Sequence, residues 1–236
     1  MEMQKRKSYS FILFVTCLLF SIVVSAAKPD ENPGNGSGDP GDDSSLSHEK
    51  YFTDNFYEGT QSCLGSTCHD SAANDVLLTG HWKWQGIAAN IEGVENEVHG
   101  KKDLINNFCV AVPTNEGRCA QCHIGYGYID QNFDFNDPTN IDCLICHDQT
   151  GTYVKGIKNG GLPALPLVSD TDPDLQAVAR SVDLNGGVPG RHNCIFCHAN
   201  AGGGDNIKHG DLSMSMENTT REFDVHMGTD GGDMSC

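Results

Sequence analysis

Apolar side chains are scarce in this chain: 38% of its 236 residues are hydrophobic and 8% aromatic, while 27 are glycine. Side chains alone promise a thin core for one large or two small domains, so something else is expected to fill the interior. Basic residues are also few, 15 against 32 acidic ones, for a formal charge of −17. That balance argues against nucleic acid and anionic membrane surfaces as partners. It leaves solubility or the docking of a cationic partner as uses for the acidity. Strand-type alternation is weak throughout, and glycine-rich connectors separate short helical stretches.

The one long apolar run lies at the start, in "MEMQKRKSYSFILFVTCLLFSIVVSAAKPD". A basic opening (Lys5, Arg6, Lys7), an apolar stretch from Phe11 to Val24 and small residues at Ser25, Ala26 and Ala27 form the layout of a secretory signal peptide. Residues 1–26 are therefore expected to be removed on export, with an uncleaved anchor as the alternative. Residues 27–47, rich in Pro, Gly, Ser and Asp, read as a flexible acidic linker. An ordered domain is expected from His48 to the end of the chain.

Three pentapeptides then recur: "CAQCH" (Cys119, Cys122, His123), "CLICH" (Cys143, Cys146, His147) and "CIFCH" (Cys194, Cys197, His198). Cys-x-x-Cys-His is the attachment signature of a c-type haem. Two thiols one helical turn apart can form thioethers with the two vinyl groups on one porphyrin edge, and the following imidazole ligates the iron. A fourth copy, "CLGSTCH" (Cys63, Cys68, His69), carries two extra residues that a bulge at Gly65 can absorb. Zinc sites do not require a His directly after the second Cys, disulfide frameworks do not repeat one, and a thioredoxin-like motif normally occurs once. The final Cys236 reads as the first cysteine of a fifth site, so the chain is expected to be the N-terminal part of a longer protein, with a free thiol at a native end as the alternative.

Four haem c groups need further axial ligands, because each motif supplies one. Six histidines lie outside the motifs: His48, His81, His99, His192, His209 and His226. Their surplus suits bis-histidine, low-spin haems built for electron transfer. The candidate metal ligands are thus His69, His123, His147 and His198 from the motifs, with His81, His99, His192, His209 and His226 as the distal set. His192 stands two residues before Cys194, so it is expected to reach a neighbouring iron rather than its own. The spacing in "DPDLQAVARSV" predicts a helix capped by Asp172 with Pro173 at its first position. "DSAANDVLLTGHWKW" predicts another after the first motif. The expected fold class is mostly α and irregular coil, with haems forming much of the core.

The block "HWKW … KKDLINNFCVAVPTNEGRCAQCHIGYGYIDQNFDFNDPTNIDCLICHDQTGTY", with "CIFCHANAGGGDNIKHGDLS" after it, resembles the octahaem tetrathionate reductase family of multihaem cytochromes c. The resemblance spans about Cys63 to Cys236 and includes loops as well as motifs. It implies a periplasmic reductase of small sulfur or nitrogen oxo-compounds such as tetrathionate, nitrite or hydroxylamine. It also implies one catalytic haem with a lysine nitrogen as axial ligand. The second site, "CAQCH", looks like the attachment point of that haem and Lys208 like the position of the lysine, beside Gly202, Gly203 and Gly204. Which face Lys208 and His123 would each take stays open.

Three other residues are candidates at the same site. Cys109 is either a buried inert thiol or a group that exchanges with a substrate S–S bond. Tyr126 and Tyr128 either donate protons or pack against porphyrin. The implied partners are an electron-donor redox protein or quinol-linked cytochrome and a small inorganic substrate. The alternative function is pure electron transfer, with every iron doubly ligated.

Overall fold

The computed structural model describes residues 47–236, apart from 66–67, 104–110, 157–159, 164–172, 202–203 and 208–210. They belong to one compact unit, Gly41–Cys236. The signal segment and most of the linker fall outside the described residues, as do Cys109, Asp172, Lys208 and His209.

Seven short helices follow one another: α1 His48–Asp54, α2 Asp70–Leu78, α3 Gly80–Lys83, α4 Glu116–Cys119, α5 Leu144–His147, α6 Pro173–Ser181 and α7 Arg191–His198. Between α3 and α4 a two-residue antiparallel hairpin pairs β1 Gly86–Ile87 with β2 Val98–His99. Helix and coil therefore dominate, as the composition implied. The start of α1 is set by Ser47, whose side chain accepts from the Lys50 N–H. The single helix expected across 70–84 is divided at Thr79. Its backbone turns extended, and its hydroxyl caps α3 by accepting from the Trp82 N–H.

The core is built in three small patches rather than one large one. In α6 the apolar positions Leu175, Val178 and Ala179 recur at helical spacing and turn one stripe inward, with Val182 just beyond the helix packed against them. They meet Phe52 of α1, Leu144 and Ile145 of α5, and Tyr57 and Tyr153. A second patch gathers Trp84, Val112, Ala120 and Tyr128, and a third Ala73, Trp82 and Ile141. α7 packs on α5, and Asn193 locks the pair by donating to the carbonyls of Ile145 (3.3 Å) and Asp148 (3.0 Å).

Tyr126 serves as a pin in this scaffold. Its hydroxyl accepts from the Thr60 N–H (2.8 Å) and donates to Thr60 Oγ1 (2.6 Å), which in turn donates to the Ile141 carbonyl. Burial pushes its phenol up to about 12. A hydroxyl so engaged holds the segment leading into Cys63 against the residues just before Cys143. It is not poised to give up a proton, as the catalytic candidacy of Tyr126 required. Replacing Tyr126 with Phe leaves the buried Thr60 N–H without a partner and is expected to lower stability by about 1–3 kcal/mol. Chemical denaturation of the haem-loaded protein measures this, with the visible spectrum unchanged.

Candidate haem sites

The three regular attachment motifs sit on tight helical turns. "CLICH" runs from the N-cap of α5 through its last residue, and "CIFCH" occupies the last five positions of α7. "CAQCH" spans the end of α4 and the 3₁₀ turn Ala120–Cys122. In the stretched motif the His69 N–H reaches back to the Cys63 carbonyl (3.2 Å), and the Cys68 N–H donates to the Gly65 carbonyl. Gly65 takes φ +143°, a conformation side chains resist.

The thiols of different motifs touch. Cys63 of the first site meets Cys143 of the third, which lowers the Cys63 thiol and raises that of Cys143. Cys122 of the second meets Cys197 of the fourth. That contact, helped by Lys101 and Lys155, brings the Cys122 thiol to about 7 and pushes Cys197 up. Burial, with Cys236 alongside, raises Cys194, and burial raises Cys146 to about 11. No disulfide joins any of the described cysteines. Cys68 is exposed, and Cys119 packs against the Trp84–Tyr128 patch.

Between the first and third sites lies a cavity of about 410 Å³. Cys63, Cys143 and Cys146 reach it, as do His69 and His147, and its remaining walls are largely apolar. Two non-motif histidines face motif histidines. His48 and His69 lie with ring centroids 5.7 Å apart and planes within 6° of parallel, and His81 and His198 lie 6.1 Å apart at 85°. Two metal–nitrogen bonds of about 2 Å plus the two ring radii separate a bis-imidazole pair by about 6 Å. The thiols, the imidazole pairs and the apolar cavity therefore fit haem. The Nδ1–H of His147 donates to the Gly187 carbonyl (2.9 Å), which leaves Nε2 as its metal-binding nitrogen.

Three other expected distal ligands lie near carboxylates. His99 Nε2 lies 2.7 Å from Glu97, and His192 Nδ1 lies 2.9 Å from Glu217. His226 is largely exposed, 3.8 Å from Asp224. Among the described residues none of these three stands against a motif imidazole. His48, in contrast, pairs with His69 from the first turn of α1, where sequence spacing gave no reason to single it out.

The second site is unlike the rest. His123 is fully buried; its Nε2–H donates to the Trp82 carbonyl (2.6 Å), and its Nδ1 accepts from the Gly125 N–H (3.2 Å). Burial takes its pKa down to about 4. Rings of Trp82, Trp84, Tyr128, Phe133 and Phe135 surround it, all with centroids within 6 Å. Tyr128 packs in this cage, and burial raises its phenol to about 12. Both nitrogens of the motif histidine are thus engaged by protein.

Beneath the same turn lies Lys155, whose side chain is wholly inaccessible to solvent. Its Nζ donates to the carbonyls of His123 and Gly125 and stands 3.2 Å from Asp142 Oδ2, to which Tyr153 also donates (2.9 Å). Gly161, at φ +80°, is required here, since a Cβ would come within 2.8 Å of Lys155 Cε. Neither Lys155 nor Asp142 stood out in the sequence. The only signal was a lysine in the otherwise uncharged stretch "TGTYVKG", just past the third motif.

No protein-family model matches the chain. An uncharacterized protein of Archaeoglobus fulgidus is 24% identical over 271 residues, covering 95% of this chain and 88% of that protein. The crystal structure of octaheme cytochrome c from Shewanella oneidensis is 42% identical and superposes with a TM-score of 0.66. That match covers 80% of this chain but 39% of the Shewanella chain, so the present chain spans about two fifths of its length. With the recurrent attachment motifs, paired imidazoles and a largely helical and irregular fold, the chain is a multihaem c-type cytochrome that is similar to an octahaem cytochrome c.

Proposed function

We propose that this chain is the exported electron-input and catalytic part of an octahaem reductase, acting on small sulfur or nitrogen oxo-compounds such as tetrathionate, nitrite or hydroxylamine. The first, third and fourth sites carry electrons, and the second performs the reduction. The observation that carries this reading is the contrast at the second site: the motif imidazole of His123 is tied to backbone at both nitrogens, while a buried amine, Lys155, lies against the same turn.

Haem, when bound, supplies one-electron carriage where two imidazoles ligate it and a substrate-accessible iron where one protein ligand does. The chain's own residues account for the difference. His48 with His69, and His81 with His198, offer two imidazoles each to the first and fourth sites. His147 presents Nε2 to the third. At the second, Trp82 and Gly125 hold the His123 ring away from metal chemistry, and Lys155 provides the single amine that the family resemblance implies. This assigns to Lys155 the role the sequence suggested for Lys208. As an ammonium Lys155 has no lone pair, so ligation would require one proton to leave it; the Asp142 carboxylate, 3.2 Å away and anchored by Tyr153, is placed to take that proton. Cross-motif thiol contacts bring the second and fourth sites together, so electrons reach the catalytic position without following chain order. Electron-donor redox proteins or a quinol-linked cytochrome supply them.

Purely electron-transferring behaviour is the rival reading, and it requires every iron to be doubly ligated. Electron paramagnetic resonance of the full-length haem-loaded protein separates the two. One ligand-exchangeable haem, together with reduced-dye oxidation by tetrathionate, nitrite or hydroxylamine, is expected; uniformly low-spin iron indifferent to added ligand would sink the catalytic assignment. Lys155→Met should perturb one haem spectrum and cut turnover about a hundredfold or more, a loss of the size seen when one transition-state contact is removed. Lys208→Met should leave both unchanged. His81→Ala should convert one low-spin haem to high spin while the number of haems per chain, read by mass, stays constant.

A further inference from the structure

The turn after α6 touches the ligand sets of two sites at once. Asn185, Gly186 and Gly187 adopt left-handed conformations in succession (φ 55°, 75° and 71°). Two hydrogen bonds fix this turn to Gln149, two residues beyond His147: Asn185 donates to its side-chain oxygen (3.2 Å), and its amide donates to the Val188 carbonyl (3.1 Å). Asp183, Gly186 and Gly187 all reach the cavity shared by the first and third sites.

What the turn presents to each histidine differs in charge. The Asp183 carboxylate accepts the His48 backbone N–H (3.0 Å), and the same oxygen lies 3.6 Å from His48 Nδ1. His147 Nδ1 instead meets the neutral Gly187 carbonyl at 2.9 Å. We propose that this turn makes the two neighbouring haems electrochemically unequal: the Asp183 carboxylate, set against His48, makes the first site the more reducing, while Gly187 leaves the third higher in potential. The inference rests on reading His48 and His69 as the axial pair of the first haem.

A fixed negative charge beside an axial imidazole stabilises the more positive, oxidised state of the metal and so lowers its potential. A carbonyl dipole does this less. For the exchange of one electron, in which the first site is oxidised by one as the third is reduced by one, the bias favours passage from first to third. His48 and Asp183 each keep about a third of their side-chain surface in water, so the bias is partly screened. Asp183 is thus a positioning and tuning residue that acts through His48 and touches neither substrate nor metal.

The test is potentiometric titration of the full-length haem-loaded protein, followed by electron paramagnetic resonance. In Asp183→Asn the amide oxygen can still accept the His48 N–H, so the fold is retained while the charge is lost. One midpoint potential should shift upward, the others should stay, and Asp183→Glu should restore much of the original value. Midpoints that are all unchanged in Asp183→Asn, at full haem content, overturn the proposal. His48→Ala identifies the haem concerned by moving it out of the low-spin set. If it moves none, the ligand pairing is wrong and the inference falls with it; if it moves one while Asp183→Asn is silent, only the tuning role is lost.

Discussion

A buried lysine under the second attachment turn constrains much of what surrounds it. Burying an ammonium is costly unless each of its protons finds an acceptor. Lys155 meets that demand with the carbonyls of His123 and Gly125 and the carboxylate of Asp142. Two of those acceptors are backbone groups just past the second motif, so the chain there must turn its carbonyls inward. The imidazole of His123 is then left to lie against Trp82. The third acceptor immediately precedes Cys143. The Asp142 N–H donates to the Ile124 carbonyl (2.8 Å), and Gly125 bridges Ile141, so the exit of the second site is stitched to the entry of the third. Removing one member of such a pair leaves an uncompensated charge and costs about 3–5 kcal/mol.

Around this polar centre the apolar patches are small, and the cysteines of separate motifs approach one another. Those facts share a cause. A chain with so few large apolar side chains cannot fill its interior by packing alone. Walls of the cavity near His48 and His69 come from α1, α2, α5 and the turn after α6. Elements otherwise brought together by slender contacts would gain a common apolar surface from a macrocycle seated there. Prosthetic groups then act as core, and loading and folding are coupled.

Much of the attachment chemistry was legible because it is local. A thiol, a thiol one turn on and the next residue's imidazole depend on nothing but helical spacing, and Cys119 through His123 or Cys194 through His198 can be read from five letters. The α6 helix was legible for the same reason, with Leu175, Val178 and Ala179 on one stripe. The break at Thr79 was not, because a threonine inside an apolar run reads as interior until its hydroxyl is seen to cap the next helix. Distal pairing was illegible in a deeper sense. His48 precedes His69 by 21 residues, but His81 lies far from His198, and nothing in either neighbourhood encodes the partner. Lys155 was overlooked because its value comes from three acceptors contributed by other segments, whereas Lys208 drew attention through the family resemblance.

The pairings also explain why the second site can differ without disturbing the fourth. His81 and Trp82 are consecutive on α3, and α3 is a single turn, so their backbone and side chains serve opposite ends of one small element. The His81 ring goes to His198, while the Trp82 carbonyl takes the Nε2–H of His123 and its indole closes the cage around that ring. The indole N–H in turn donates to the Phe135 carbonyl (2.8 Å), which fixes the orientation of the whole turn. In the proposed assignment one anchored helical turn completes the ligand pair of the fourth site and withholds the motif ligand from the second, which sets an electron-carrying position beside a substrate-binding one. A shift of α3 would disturb both together, so the inequality of these neighbouring sites is a property of the fold and not of either motif alone.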